Sequence, residues 1–333
     1  MTSPWMRIAI AVSLGFSMGS VARAKGPRYV DPEHVDRDFA LQGEYTGQID
    51  DGSGSQKFGV QVIALGKGRF RGVGYFGGLP GDGWNGEEPV RAEAERKDGS
   101  IEFITDDGSA LICDGVATLR DSGGMVVGRL KKVIRKSPTL GQKPPAGAVV
   151  LFDGTRASLK HWRGGRMTED GWLMEGTTSK ETFGDHFVHF EFRLAYQPTD
   201  RGQARSNSGI YLQGRYEVQI LDSFGLEGKH NECGGLYSVK DPDVNMCFPP
   251  LSWQTYDIEF RAARYDAAGN RVANPRITVR HNGVVIHDNV ELPGDRSTTA
   301  APNKPGAEPG PIYLQNHGCP VRYRNIWVVP KDE

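Results

Sequence analysis

The sequence predicts an all-β protein, an antiparallel two-sheet β-sandwich preceded by a smaller β-rich domain. Three observations carry this. Short segments alternate apolar and polar residues with a period of two, as half-buried strands do. Gly (44) and Pro (20) are abundant and fall between those segments, where turns need them. No stretch shows a long amphipathic helical period. A chain of 333 residues has room for two domains of about 150 residues each.

Residues 1–24 read as a signal peptide. Arg7 supplies a positive end, Ile8 to Val21 is apolar but too short to span a bilayer, and Ala22-Arg23-Ala24 fits a small-x-small cleavage pattern. The mature chain would start near Lys25 and be exported, periplasmic or secreted, with no transmembrane segment left after cleavage. An uncleaved anchor is the alternative. Residues 25–37 form an irregular lead-in.

The β-rich N-terminal domain spans 38–135. Its strands are expected at Lys57 to Leu65, Arg69 to Tyr75, Ser100 to Thr105, Ala110 to Cys113 and Gly124 to Val133. The loop Gly77-Gly78-Leu79-Pro80-Gly81-Asp82-Gly83-Trp84 reads as a tight surface turn anchored by Trp84. It is no phosphate loop, because no Lys-Ser/Thr follows and no helix begins there. Nothing in this domain assigns it a function. Residues 136–147, with Pro138, Pro144 and Pro145, read as a linker.

The sandwich domain spans 148–330. Strands are expected at His186 to Leu194, Thr255 to Arg261, Arg276 to His281, Val284 to Asp288, Pro311 to His317 and Arg324 to Val329. Asn282-Gly283 is a strong hairpin signal. Pro293 to Pro311 reads as a surface excursion. Asn207 to Asp222 is the most informative stretch. It reads as a hairpin whose Ile210, Leu212, Val218 and Ile220 face one way, while Tyr211, Gln213, Arg215, Glu217 and Gln219 face the other. An amide, a phenol, a guanidinium and a carboxylate on one face suit a polyhydroxylated ligand, and the carboxylate could move protons.

Charge and cysteine content exclude some functions. Net charge is −1, from 40 basic and 41 acidic residues with no basic run, so no nucleic-acid partner is expected. Cys113, Cys233, Cys247 and Cys319 include no C-x-x-C pair, which argues against a zinc cage. Cys233 and Cys247 could bridge in an exported protein; four buried thiols are the equal alternative. Ser208 lacks a Gly-x-Ser-x-Gly elbow, which argues against a hydrolase triad.

An ordered set of motifs then carries a resemblance. Leu151-Phe152-Asp153-Gly154, Asn207-Ser208-Gly209-Ile210, Glu217-Val218-Gln219-Ile220-Leu221-Asp222, Gly235-Leu236-Tyr237, Trp253, Ile312-Tyr313-Leu314-Gln315-Asn316-His317-Gly318 and Tyr323-Arg324-Asn325-Ile326 follow one another. Residues 148–330 thereby resemble the 3-keto-disaccharide hydrolase family. The resemblance implies a concanavalin-like jelly-roll sandwich and cleavage of glycosides already oxidised at sugar C3. Gln254 stands where many relatives have Asn, a departure that bears on substrate fit.

A 3-keto sugar has an acidic C2 proton, so a site needs a base there, a positive group or metal at the ketone oxygen, and an acid at the leaving oxygen. Glu217 is the first candidate for the base; its bland alternative is an ion pair with Arg215 or Arg193. His317, at alternate positions with Tyr313 and Gln315, is the candidate acid. Arg324 is a candidate for polarising the ketone, or else pairs with Glu191 or Glu259. Asn207, Tyr211, Gln213, Gln219, Tyr237 and Gln315 are candidate substrate contacts. Tyr313 and Phe224 add aromatic surface, whereas Trp253 reads as core. Glu217, Asp222, His230 and Glu232 could together hold a divalent metal ion, the one candidate cofactor, though their spacing is not diagnostic. The small carbohydrate is the expected partner. A noncatalytic lectin-like binding protein would use the same polar face, and a surface interaction protein would bind through 38–135 instead.

Overall fold

The computed structural model describes residues 26–331 apart from 51 and 53. The signal peptide expected at 1–24 lies outside these residues. No helix among the described residues is long and apolar enough to cross a membrane.

Eight antiparallel strands close into a barrel: β1 (Gly43–Asp50), β2 (Ser55–Gly66), β3 (Arg69–Phe76), β4 (Val90–Lys97), β5 (Ser100–Thr105), β6 (Gly108–Cys113), β7 (Val116–Asp121) and β8 (Val126–Val133), with β1 pairing both β2 and β8. Alternation sorts their side chains. On β2, Phe58, Val60, Val62 and Ala64 enter the barrel core. Ile63 and Leu65 point outward and join the core of the sandwich, as do Val73 and Tyr75 of β3.

The sandwich begins with β9 (Val149–Phe152), β10 (Trp162–Arg163), β11 (Leu173–Met174), β12 (Thr177–Phe183) and β13 (His186–Arg193). It continues with the hairpin β14 (Ser208–Leu212) and β15 (Tyr216–Ile220), then β16 (Trp253–Arg261), β17 (Arg264–Tyr265) and β18 (Arg271–Ala273). It ends with β19 (Arg276–His281), β20 (Val284–Glu291), β21 (Gly310–Leu314) and β22 (Arg322–Pro330). One sheet has the order β10-β12-β21-β14-β15. The other runs β11-β22-β13-β16-β19-β20, with β9 also pairing β22, and β17 pairs only with β18. Val188, Phe190, Phe192, Ile258 and Tyr323 of the second sheet meet Ile210, Leu212, Val218 and Ile220 of the first in one core.

The two-residue turn at Asn282-Gly283 has φ of +50° and +83°, the left-handed pair that its hairpin requires. The proline-bearing segment 136–147 lies against the second sheet. Ser137 and Thr139 hydroxyls hydrogen-bond Thr255, and the Gly141 N–H donates to Glu191. All four cysteines are free thiols, three of them buried.

Candidate active site

Tyr216, Val218 and Ile220 of β15 enter the core, so Glu217 and Gln219 point to the outer face of the five-stranded sheet. The register lays Thr178, Tyr313, Tyr211 and Glu217 in one row across four strands. That face is roofed by loops. Gln219 N–H donates to the Gly235 carbonyl and Tyr237 N–H to the Glu217 carbonyl. From the excursion, the Thr298 hydroxyl accepts from the Glu217 N–H at 2.9 Å and donates to the Arg215 carbonyl.

Glu217 is therefore only 3% exposed. Burial pushes its carboxyl up to about 8, although the Tyr211 hydroxyl pulls the other way. Among the described residues no Lys or Arg pairs with it. Arg215 instead donates to the carbonyls of Lys304 and Glu308 and to Gln213 Oε1. Arg193 donates to the Val30 carbonyl and lies 4.0 Å from the Trp172 ring centroid. The ion-pair reading of Glu217 fails for both. Its carboxylate occupies space that Gly209 leaves open: a Cβ on Gly209 would stand 2.1 Å from Glu217 Oε1.

Tyr211, fully buried, accepts from Gln315 Nε2 at 3.1 Å, and its hydroxyl reaches the Thr299 carbonyl at 3.0 Å. Its ring lies 5.3 Å from that of Tyr313. Burial, reinforced by the Glu217 charge, raises the pKa of Tyr237. Asn207 Nδ2 and Gln219 Nε2 both donate to Gln203 Oε1, at 2.9 and 3.0 Å. Among the described residues no hydrogen-bond partner reaches the buried Asn207 Oδ1. The result is a buried cluster of carboxylate, phenol and amides beside half-buried Tyr237, Tyr313 and Gln315.

The structure thus brings Asn207, Tyr211, Glu217, Gln219, Tyr237 and Gln315 to one region and sets Arg324 and Gln213 apart from it. Arg324 belongs to β22 of the opposite sheet. It pairs with Glu191 at 2.6 Å and lies over Trp253, 4.1 Å from the ring centroid. Tyr323 beside it enters the core, so Arg324 faces the far side of the sandwich from Glu217. Gln213 turns the hairpin corner at φ +54°, and both ends of its amide are engaged, by the Phe183 carbonyl and by Arg215. It is a brace rather than a ligand contact. His317 lies beyond the end of β21, which stops at Leu314. Burial lowers its pKa, and its Nδ1 has no hydrogen-bond partner among the described residues.

The four candidate metal ligands do not gather. No group of three or more His, Cys, Asp or Glu among the described residues could hold a metal. Asp222 pairs with Arg205 at 2.7 Å and caps its turn. Glu232 accepts from the N–H groups of Gly228 and Lys229, and His230 Nδ1 from Ser238 N–H. Ser208 donates to the Gln315 carbonyl, and Phe224 is core. Trp253 is half-buried beside Trp172 and Arg324 rather than in the core. Gln254 accepts from Phe248 N–H and joins His281, a structural contact on the second sheet.

Gln203, Gly209 and Thr298 escaped the sequence reading. Gly209 did carry a signal, since a glycine inside a strand marks close approach by another group. Gln203 and Thr298 act from irregular segments and carried none.

Three solved structures of candidate glycosyl hydrolases from Parabacteroides distasonis are similar to this chain. One is 32% identical, covers 56% of this chain and 85% of its own, and has a TM-score of 0.49. The second is 16% identical over 56% and 95%, with a TM-score of 0.42, and the third 18% identical over 55% and 99%, with 0.37. No curated protein matches. Residues 147–329 match the 3-keto-alpha-glucoside-1,2-lyase-like domain, and the chain belongs to that family.

Proposed function

We propose that this chain cleaves 3-keto-glycosides, with Glu217 as the base that removes the C2 proton. The observation that carries the reading is a buried carboxylate without a cationic partner, its pKa pushed up to about 8, set among phenols and amides. The buried carboxylates Glu191 and Asp222, by contrast, are paired with Arg324 and Arg205. An unpaired one in a polar floor is costly to keep and is a functional-site signature. A base of this strength also suits a carbon acid better than an ordinary carboxylate does.

The C2 proton passes to the Glu217 carboxylate, and its electron pair forms the enolate of the C3 ketone. The enolate expels the C1 oxygen, which takes up a proton, leaving an enone between C1 and C3. Water then adds at C1, so the net reaction is hydrolysis. Asn207 and half-buried Gln315 contact hydroxyls, the engaged Gln219 and Tyr211 brace them through Gln203 and Gln315, and Tyr237 and Tyr313 offer faces on which a sugar ring packs. The hydroxyl of half-buried Tyr237, which feels the Glu217 charge, is a candidate donor to the leaving oxygen.

The test incubates the purified chain and Glu217→Gln with a 3-keto-disaccharide in D2O. Wild type should release the second sugar and incorporate deuterium at C2, while the variant, still folded, should do neither. Cleavage by the variant at the wild-type rate would remove Glu217 from the chemistry. Sugar binding without cleavage by either would favour the lectin-like alternative.

A further inference from the structure

The strongest feature outside this site is the lumen of the N-terminal barrel. An eight-stranded barrel either fills its interior with side chains or holds one small ligand. This one does each at a different end. At one end Tyr45, Val62, Phe70, Ile101, Ile112 and Leu130 fill the interior completely. Residues 38–41, just before β1, cap that end. Asp38 accepts from Gly68 N–H and Arg96 Nε, each at 2.8 Å, Phe39 and Leu41 pack on the core, and Lys132 Nζ donates to the Ala40 carbonyl.

The opposite end is hollow. A cavity of about 470 Å³ opens between the β1–β2, β5–β6 and β7–β8 turns, within the ~300–1,000 Å³ of small-molecule sites. Small residues account for the space: Ala92 on β4 and Ala110 on β6 line it, with Gly72 and Gly74 on β3. The two glycines let aromatic rings lie flat on the wall. A Cβ on Gly74 would stand 2.9 Å from Phe58, and one on Gly72 would stand 3.1 Å from Phe103. With side chains at those positions the rings would be pushed into the lumen. Interiors are otherwise close-packed, so an unfilled apolar space of this size is a site rather than a packing defect.

The rim is polar and mostly acidic. Asp50, Asp107 and Asp121 line it, opposed by Arg120, which donates to the Gly124 carbonyl. A carboxylate head group would meet three like charges there, whereas a neutral or positively charged one would not.

We propose that the barrel binds one small amphiphile, its hydrocarbon tail in the lumen and a cationic or neutral head at the aspartate rim. This second site is independent of the Glu217 reading.

The test titrates the apolar fluorophore N-phenyl-1-naphthylamine into the full chain. One saturable site per chain is expected. Dodecyltrimethylammonium should displace the probe at a concentration at least tenfold below dodecanoate, both below their micelle-forming concentrations. Ala92→Phe and Ala110→Phe should each weaken probe binding at least tenfold while cooperative thermal unfolding persists. Asp107→Lys leaves the wall intact and should narrow or reverse the preference for the cationic chain. No saturable uptake, or uptake unchanged in the folded filling variants, overturns the proposal. If a filling variant fails to fold, Asp107→Lys decides: an unchanged displacement order overturns the rim assignment and with it the ligand class.

Discussion

Ionising Glu217 places a negative charge among phenols and amides, and the rest of the protein bears that cost. Below pH about 4.5 the carboxyl is protonated both folded and unfolded, so it costs nothing. Between there and about 8 the folded chain keeps a proton that the unfolded chain releases, so stability declines as pH rises through that window. Glu217→Gln should therefore be more stable than wild type above pH 8, by roughly 2–5 kcal/mol at about 1.4 kcal/mol per pKa unit. The difference should vanish near pH 4. Denaturant melts across that range check it, and a pH-independent difference would contradict the assignment. Tyr211 pulls the Glu217 pKa down, so Tyr211→Phe should move the acidic limb of kcat/KM to higher pH. Gly209→Ala drives a methyl against Glu217 Oε1. A displaced reacting group can cost about a hundredfold, so kcat/KM should fall by about that factor while the fold persists.

At the scale of elements, the hairpin β14–β15 was legible because its two faces differ in chemistry as well as polarity. Strands β5 and β19 stand where alternation puts them. Strands β1, β4 and β7 were missed for a physical reason. β4 reads Val-Arg-Ala-Glu-Ala-Glu-Arg-Lys, so its inward residues beyond Val90 are Ala92, Ala94 and Arg96, which do not stand out as a hydrophobic face. β1 carries Gly43, Gly47, Thr46, Gln48 and Asp50 between its apolar Tyr45 and Ile49, which leaves little apolar alternation to read. For the site, sequence placed the residues that strands project and misjudged those whose neighbours come from elsewhere. Gln213 looks functional in isolation, yet Phe183 and Arg215 satisfy it, and Arg324 takes the Glu191 pairing that was its open alternative. Arg215 in turn holds the excursion over the floor through the Lys304 and Glu308 carbonyls. Arg215→Met should speed hydrogen exchange across 297–308 and raise KM severalfold with a smaller effect on kcat. Unchanged exchange there would mean that the excursion is held by other contacts.

For the whole molecule, barrel and sandwich share a core rather than merely touch. Ile63 of the barrel packs so tightly on Gly225 that a Cβ there would lie 2.3 Å from Ile63 Cδ1. Ile63→Ala should cost about 2–5 kcal/mol and lower one common unfolding transition rather than that of the barrel alone, which calorimetry would show. The prolines of 136–147 signalled extended backbone, but extended backbone can lie along a sheet as readily as span a gap.

The lead-in also fixes an order of events. Tyr29 exchanges backbone hydrogen bonds with Tyr196, Phe39 packs edge-on against the Tyr196 ring, and the Tyr196 hydroxyl donates to Asp36, 160 residues earlier. During synthesis at about 5–20 residues per second, the stopper of the barrel leaves the ribosome first and its fastening arrives roughly 8–32 s later. Throughout that interval the base is held only by contacts from within the barrel, and a chain cut short before Tyr196 never gains its latch. Ribosome-bound intermediates of this protein are accordingly expected to expose apolar surface at one defined end and to lose it when the sandwich folds.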